Sequence, residues 1–122
     1  MSGGEKRISL PRGLEIKDYT GEGYDRTHSF DTWRVAFLNY AERFDKVTYL
    51  ERHLLTDEVF VLLEGSAELW IGKEMTVVPM EKNLIYNVGQ GVWHAIRVSR
   101  DAKVLIVENS DTARENSEYF DL

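Results

Sequence analysis

The chain contains no cysteine. Disulfides, iron–sulfur clusters, thiolate zinc sites and a cysteine nucleophile are therefore excluded. No apolar run approaches a membrane span, and the N-terminus is polar without a secretory signal, so no membrane partner is expected and the cytoplasm is the default compartment. No concentrated basic segment is present either. The 15 basic residues are scattered among 21 acidic ones, the formal charge is −6, and the longest basic run is Lys6-Arg7. That balance argues against nucleic acid as a partner, because phosphate binding needs a concentrated basic surface. Gly21-Glu22-Gly23 lacks the framing strand and helix of a phosphate loop. Gly65-Ser66 reads as a hairpin turn without a nucleophile elbow.

What is present fits one folded domain. A length of 122 residues with a 43% apolar share suits one core and not two. Residues 1–28 are rich in glycine, charge and turn formers and read as an N-terminal arm, with an edge strand around Leu14–Ile16. From Thr32 onward, short runs rich in β-branched and aromatic residues alternate with turn signals. The expected strands are Trp33–Leu38, Lys46–Leu54, Val59–Leu63, Ala67–Ile71, Thr76–Val78, Leu84–Val88, Ala95–Val98 and Val104–Val107. A spacing of about ten residues per strand marks an all-β sandwich or barrel. The continuous apolar run Val59–Leu63 suggests a strand buried on both faces. Residues 111–122 read as a short acidic tail, in which Thr112 and Glu115 have the spacing of a helix capping box.

Successive strand side chains alternate between faces. Tyr49, Glu51 and His53 therefore share one face, and Glu58, Phe60 and Leu62 share another. His94 lies in phase with Ile96 and Val98, just after the flexible turn Gly89-Gln90-Gly91. The run His53-Leu54-Leu55-Thr56-Asp57-Glu58, with Gly65 after six further residues, resembles the first cupin motif: His, any residue, His, three or four residues, Glu, six residues, Gly. Gly89-Gln90-Gly91-Val92-Trp93-His94 resembles the core of the second: Pro, any residue, Gly, two residues, His. The chain departs at Glu51, where the family has its first His, at Gly89 in place of Pro, and at Val98 in place of Asn. The resemblance spans roughly residues 32–107. It implies a β jelly-roll barrel over 29–110, between the arm and the tail.

In the cupin family, the histidines and glutamate of these motifs bind a divalent metal. Carried over, the resemblance makes Glu51, His53, Glu58 and His94 the metal set, with a carboxylate in place of one imidazole. Two His and one carboxylate suit iron(II) or catalytic zinc. Glu51 is either a harder fourth ligand, favouring manganese or iron, or a general base beside the metal. Glu51 and Glu58 are thus the candidate catalytic acid–base residues. A metal-free cluster of two carboxylates and two imidazoles is the competing state.

Tyr49, Phe60, Leu62 and Trp93 are expected around the substrate pocket. Arg52 and Arg97 point away from it by phase. His28 reads as an exposed or capping residue, and Arg34 as a surface ion pair, with binding of a substrate carboxylate as the alternative. Three functions follow. The first is a metal-dependent cupin acting as isomerase or oxygenase on a small polar molecule such as a sugar or organic acid. The second is a metal-free sugar-nucleotide isomerase or epimerase, a group that Gly91–His94 and Asn116–Tyr119 also resemble. The third is a non-enzymatic small-molecule-binding cupin. A homodimer is expected, because small jelly rolls with free edges commonly pair.

Overall fold

The computed structural model describes residues 10–122. Ten strands follow in order: β1 (Tyr24–Phe30), β2 (Trp33–Asn39), β3 (Tyr49–His53), β4 (Glu58–Glu64), β5 (Ala67–Ile71), β6 (Thr76–Pro79), β7 (Tyr86–Val88), β8 (His94–Val98), β9 (Lys103–Asn109) and β10 (Ser117–Asp121). They form two five-stranded antiparallel sheets, ordered β1-β2-β9-β4-β7 and β10-β3-β8-β5-β6. Two 3-10 turns, Glu42–Phe44 and Arg114–Asn116, are the only helical elements among the described residues. No described helix is long and apolar enough to cross a membrane.

The sheets face each other across one core, built by the inward phase of each strand. Ala36 and Leu38 of β2, Phe60 and Leu62 of β4, and Val104 and Ile106 of β9 meet Leu69 of β5 and Val98 of β8. Each large aliphatic or aromatic side chain buried this way contributes roughly 1.5–3 kcal/mol. The alternation then decides where the polar groups go. Glu58 opens β4 on the same inward phase as Phe60 and Leu62, His94 opens β8, and His53 closes β3. All three sit at strand ends, and all are buried.

Several elements differ from expectation. Leu14–Ile16 forms no strand. The sheet instead starts at Tyr24, inside the expected arm, whose first nine residues lie outside the described residues. Residues 46–48 precede β3 and are not part of it. Strand β4 is not buried on both faces: Val59, Val61 and Leu63 are only half-buried, as on the outward side of an antiparallel sheet. The tail folds as strand β10, paired with β3 from Ser117↔His53 to Asp121↔Tyr49. Thr112 does not cap a helix. Its hydroxyl donates to the Asn109 carbonyl, and only a 3-10 turn follows.

Candidate metal centre and its cavity

Between the sheets lies a cavity of about 460 Å³. His53, Glu58 and His94 converge in it. Glu58 Oε1 stands 3.1 Å from His53 Nε2 and 3.0 Å from His94 Nε2. Glu51 Oε2 is 3.9 Å from His53 Nε2, and one ligand atom each from Glu51, His53 and His94 lie within 4.8 Å of one another. Glu51 is also the direct register partner of His94 across β3 and β8. The strand pairing thus delivers the carboxylate that stands where the cupin motif has its first imidazole.

The far nitrogen of each ring is already committed. The Ser117 hydroxyl donates to the Ala113 carbonyl, so its oxygen accepts from His53 Nδ1 at 2.8 Å. His94 Nδ1 donates to the Val92 carbonyl at 3.0 Å. Both imidazoles are therefore held as Nδ1–H tautomers when neutral, and both Nε2 lone pairs face the Glu58 oxygen. Buried Glu58 Oε1 and His94 Nε2 have no hydrogen-bond partner of acceptable geometry. The Glu58 oxygen, about 3 Å from each imidazole lone pair, repels both unless a positive charge, a proton or a metal ion, joins them. The ionisation of the isolated groups follows from this. Burial opposes charge on both imidazoles, but the Glu58 carboxylate outweighs it and raises His53 and His94 above 6.5. Burial likewise opposes the Glu58 carboxylate, yet the two imidazoles hold it down to about 2. Burial dominates at Glu51 and raises it.

Of the expected pocket residues, Tyr49 and Phe60 line the cavity. Leu62 does not: it lies in the core and is 1% exposed. Trp93 does not line it either. Because His94 points inward, the preceding Trp93 points outward, where its ring lies 5.9 Å from Phe120 and beneath Arg52 at 4.5 Å. Arg52 pairs with Glu118, and Arg97 donates to the Asp45 carbonyl, both away from the cavity. His28, on β1, meets Lys17 and is likewise not a lining residue.

Arg34 is not a surface pair. It is 5% exposed, and its Nη2 meets buried Glu108 Oε2 at 2.5 Å, while Tyr24 donates its hydroxyl to the same oxygen. All three line the cavity, and ligand atoms of Glu108, His53 and Glu58 lie within 4.8 Å of one another. Burial and the nearby Glu58 charge raise the Glu108 carboxyl against the opposing pull of Tyr24 and Arg34. The sequence carried a signal for this group. Glu108 continues the inward phase of Val104 and Ile106, and Arg34 that of Ala36 and Leu38.

The hydroxyl of Ser117 is the hinge of the His53 arrangement. Were a metal held at His53 Nε2, Ser117→Ala would weaken its affinity by about 10–100-fold, with little loss of stability, measured by competition with a chelating dye. Unchanged affinity would show that ring orientation does not depend on this contact.

No protein-family model matches the sequence, and no curated protein is detectably similar to it. Solved structures do match. A cupin-2 domain protein from Shewanella frigidimarina superposes with a TM-score of 0.58 at 16% identity, over 75% of this chain and 84% of that one. Pac13 from Streptomyces, described as a nucleoside dehydratase, gives 0.65 at 8% identity over 94% and 93%. An RmlC-like cupin protein from Methanocaldococcus jannaschii gives 0.56 at 11% identity over 86% and 90%. Together with the two facing antiparallel sheets, these likenesses establish an all-β protein with the cupin jelly-roll fold.

Proposed function

We propose that His53, His94, Glu58 and Glu51 hold a divalent metal, and that the cavity beside it binds a small polar molecule such as a sugar or organic acid. The observation that carries this reading is the convergence of His53 Nε2, His94 Nε2 and Glu58 Oε1, with the last two buried and lacking hydrogen-bond partners. Two imidazoles and a carboxylate with further positions open suit iron(II) or zinc, and Glu51 adds a ligand that manganese also favours. A bound metal would supply Lewis acidity, polarising an oxygen of the ligand. The chain's own groups divide the remaining work. Glu58, which the two imidazoles hold in its ionised form in the metal-free protein, is a poor proton carrier. Glu51, whose carboxyl is raised by burial and whose side chain is 34% exposed, is the group to take and return a proton at the ligand when it is not itself bound to the metal. Isomerase and oxygenase chemistry both fit this division.

The test is elemental analysis of untagged protein after loading with iron, manganese or zinc. One metal per chain is expected in the wild type, and none in His53→Ala or His94→Ala. A wild type that takes up no stoichiometric metal would remove this reading. The metal-free reading, in which the imidazoles and carboxylates act as an acid–base set, draws on the raised His53 and His94 and would then stand.

A further inference from the structure

We infer that the ligand of this cavity carries an anionic group, held at the mouth by Arg26, Arg43, Lys46 and Arg114. This rests on the reading that the cavity is the ligand site, but not on the presence of metal. The chain is acidic, at −6. The cavity lining is not: Arg26, Arg34, Arg43, Lys46 and Arg114 outnumber Glu51, Glu58 and Glu108. Arg34 is tied to Glu108, but among the described residues none of the other four basic residues lies within 4.0 Å of a carboxylate. They come from β1, the first 3-10 turn, the segment before β3 and the second 3-10 turn, and all line this cavity.

Cations that line one cavity without an ion pair of their own offer their charge to an anion that enters it. Two of the four lie over aromatic rings. The Arg43 guanidinium carbon is 4.3 Å from the centre of the Phe44 ring, and that of Arg114 is 5.9 Å from the centre of the Tyr119 ring. A guanidinium presents a planar N–H fork, suited to two oxygens of a phosphate or carboxylate. Deeper in, Arg34 Nε is a buried donor without a partner in a side chain that lines the same cavity. At the floor, the carboxylates already balance the proton or metal charge that joins them, whereas the four cations of the lining have no ion-pair partner of their own, so the charged end of the ligand belongs with those cations. A volume of about 460 Å³ suits a small phosphorylated or carboxylated molecule.

The experiment is a titration of metal-stripped, isotope-labelled protein with inorganic pyrophosphate, followed by amide chemical shifts. Saturable shifts are expected at Arg26, Arg43, Lys46 and Arg114, but not at Lys82 or Arg100, which are exposed cations elsewhere. Arg43→Gln with Arg114→Gln, both on the surface, should weaken binding by roughly tenfold or more, the cost of about 1.4 kcal/mol of charge-assisted contact. Lys82→Gln with Arg100→Gln should leave it unchanged. Absence of saturation, shifts spread evenly over all exposed cations, or wild-type binding by the mouth variant would each overturn the inference. Metal content of the mouth variant should equal that of the wild type. Failure of the metal reading and failure of this one are thereby told apart.

Discussion

Metal-free protein should lose stability as pH rises from about 6 to 8, whereas zinc should stabilise it increasingly over the same range. The first half follows from His53 and His94. Their folded pKa values lie above 6.5, so their contribution is complete below 6.5 and is lost as pH climbs through the folded values. The raised carboxyls of Glu51 and Glu108 act in the same sense, from 4.5 upward. Glu58 acts oppositely: its contribution is present above 4.5 and is lost only as pH falls through about 2. The second half follows because zinc bound as proposed would displace the protons that otherwise join these atoms. At a thousandfold excess over Kd, a bound ion adds about 4 kcal/mol, or roughly 10–20 °C in Tm for a domain of this size. Melting curves at pH 6, 7 and 8, with and without zinc, would measure both trends. A zinc shift that does not depend on pH would break the link between metal and imidazole protons.

Arg34→Met should cost about 3–5 kcal/mol in urea unfolding, because it leaves Glu108 as an uncompensated buried charge. Arg34→Met combined with Glu108→Leu should recover most of that loss. Replacing a buried ion pair by apolar side chains of similar volume is often neutral or stabilising. Tyr24 tempers the outcome, since its hydroxyl still reaches the Glu108 oxygen and leaves that carboxylate one donor in the single variant. A double variant as unstable as the single one would show that the pair is bound into the core by more than its own charges. A recovered double variant would place the value of the pair in the cavity it lines, not in the fold.

The legible parts of the chain are those where local pattern and tertiary surroundings agree. Ala67–Ile71 is readable to the residue because its inward phase, Ala67 and Leu69, is apolar and Gly65 and Gly72 punctuate it, both at positive φ. Glu51, His53, Glu58 and His94 come together as the strand phases and motif spacing require. Strand β10 was hidden by composition. Tyr119 turns to the cavity while Phe120 turns outward to Trp93, so neither face of Ser117–Asp121 is cleanly apolar. Trp93 was misplaced by adjacency, since a neighbour in sequence lies across the sheet. The basic mouth is illegible in principle. Positions 26, 43, 46 and 114 look scattered along the chain, and only closure of the two sheets brings them together.

Strand β10 is the edge of its sheet, and its first residue sets the ring of His53. Sheet edges open by local fluctuation at free energies well below that of global unfolding. Each fraying of Ser117 from β3 therefore frees the His53 ring to rotate and interrupts the site while the rest of the barrel stays folded. Conversely, an occupant of the centre that needs this ring orientation must slow amide hydrogen exchange in β10, so occupancy and edge protection are two readings of one local equilibrium.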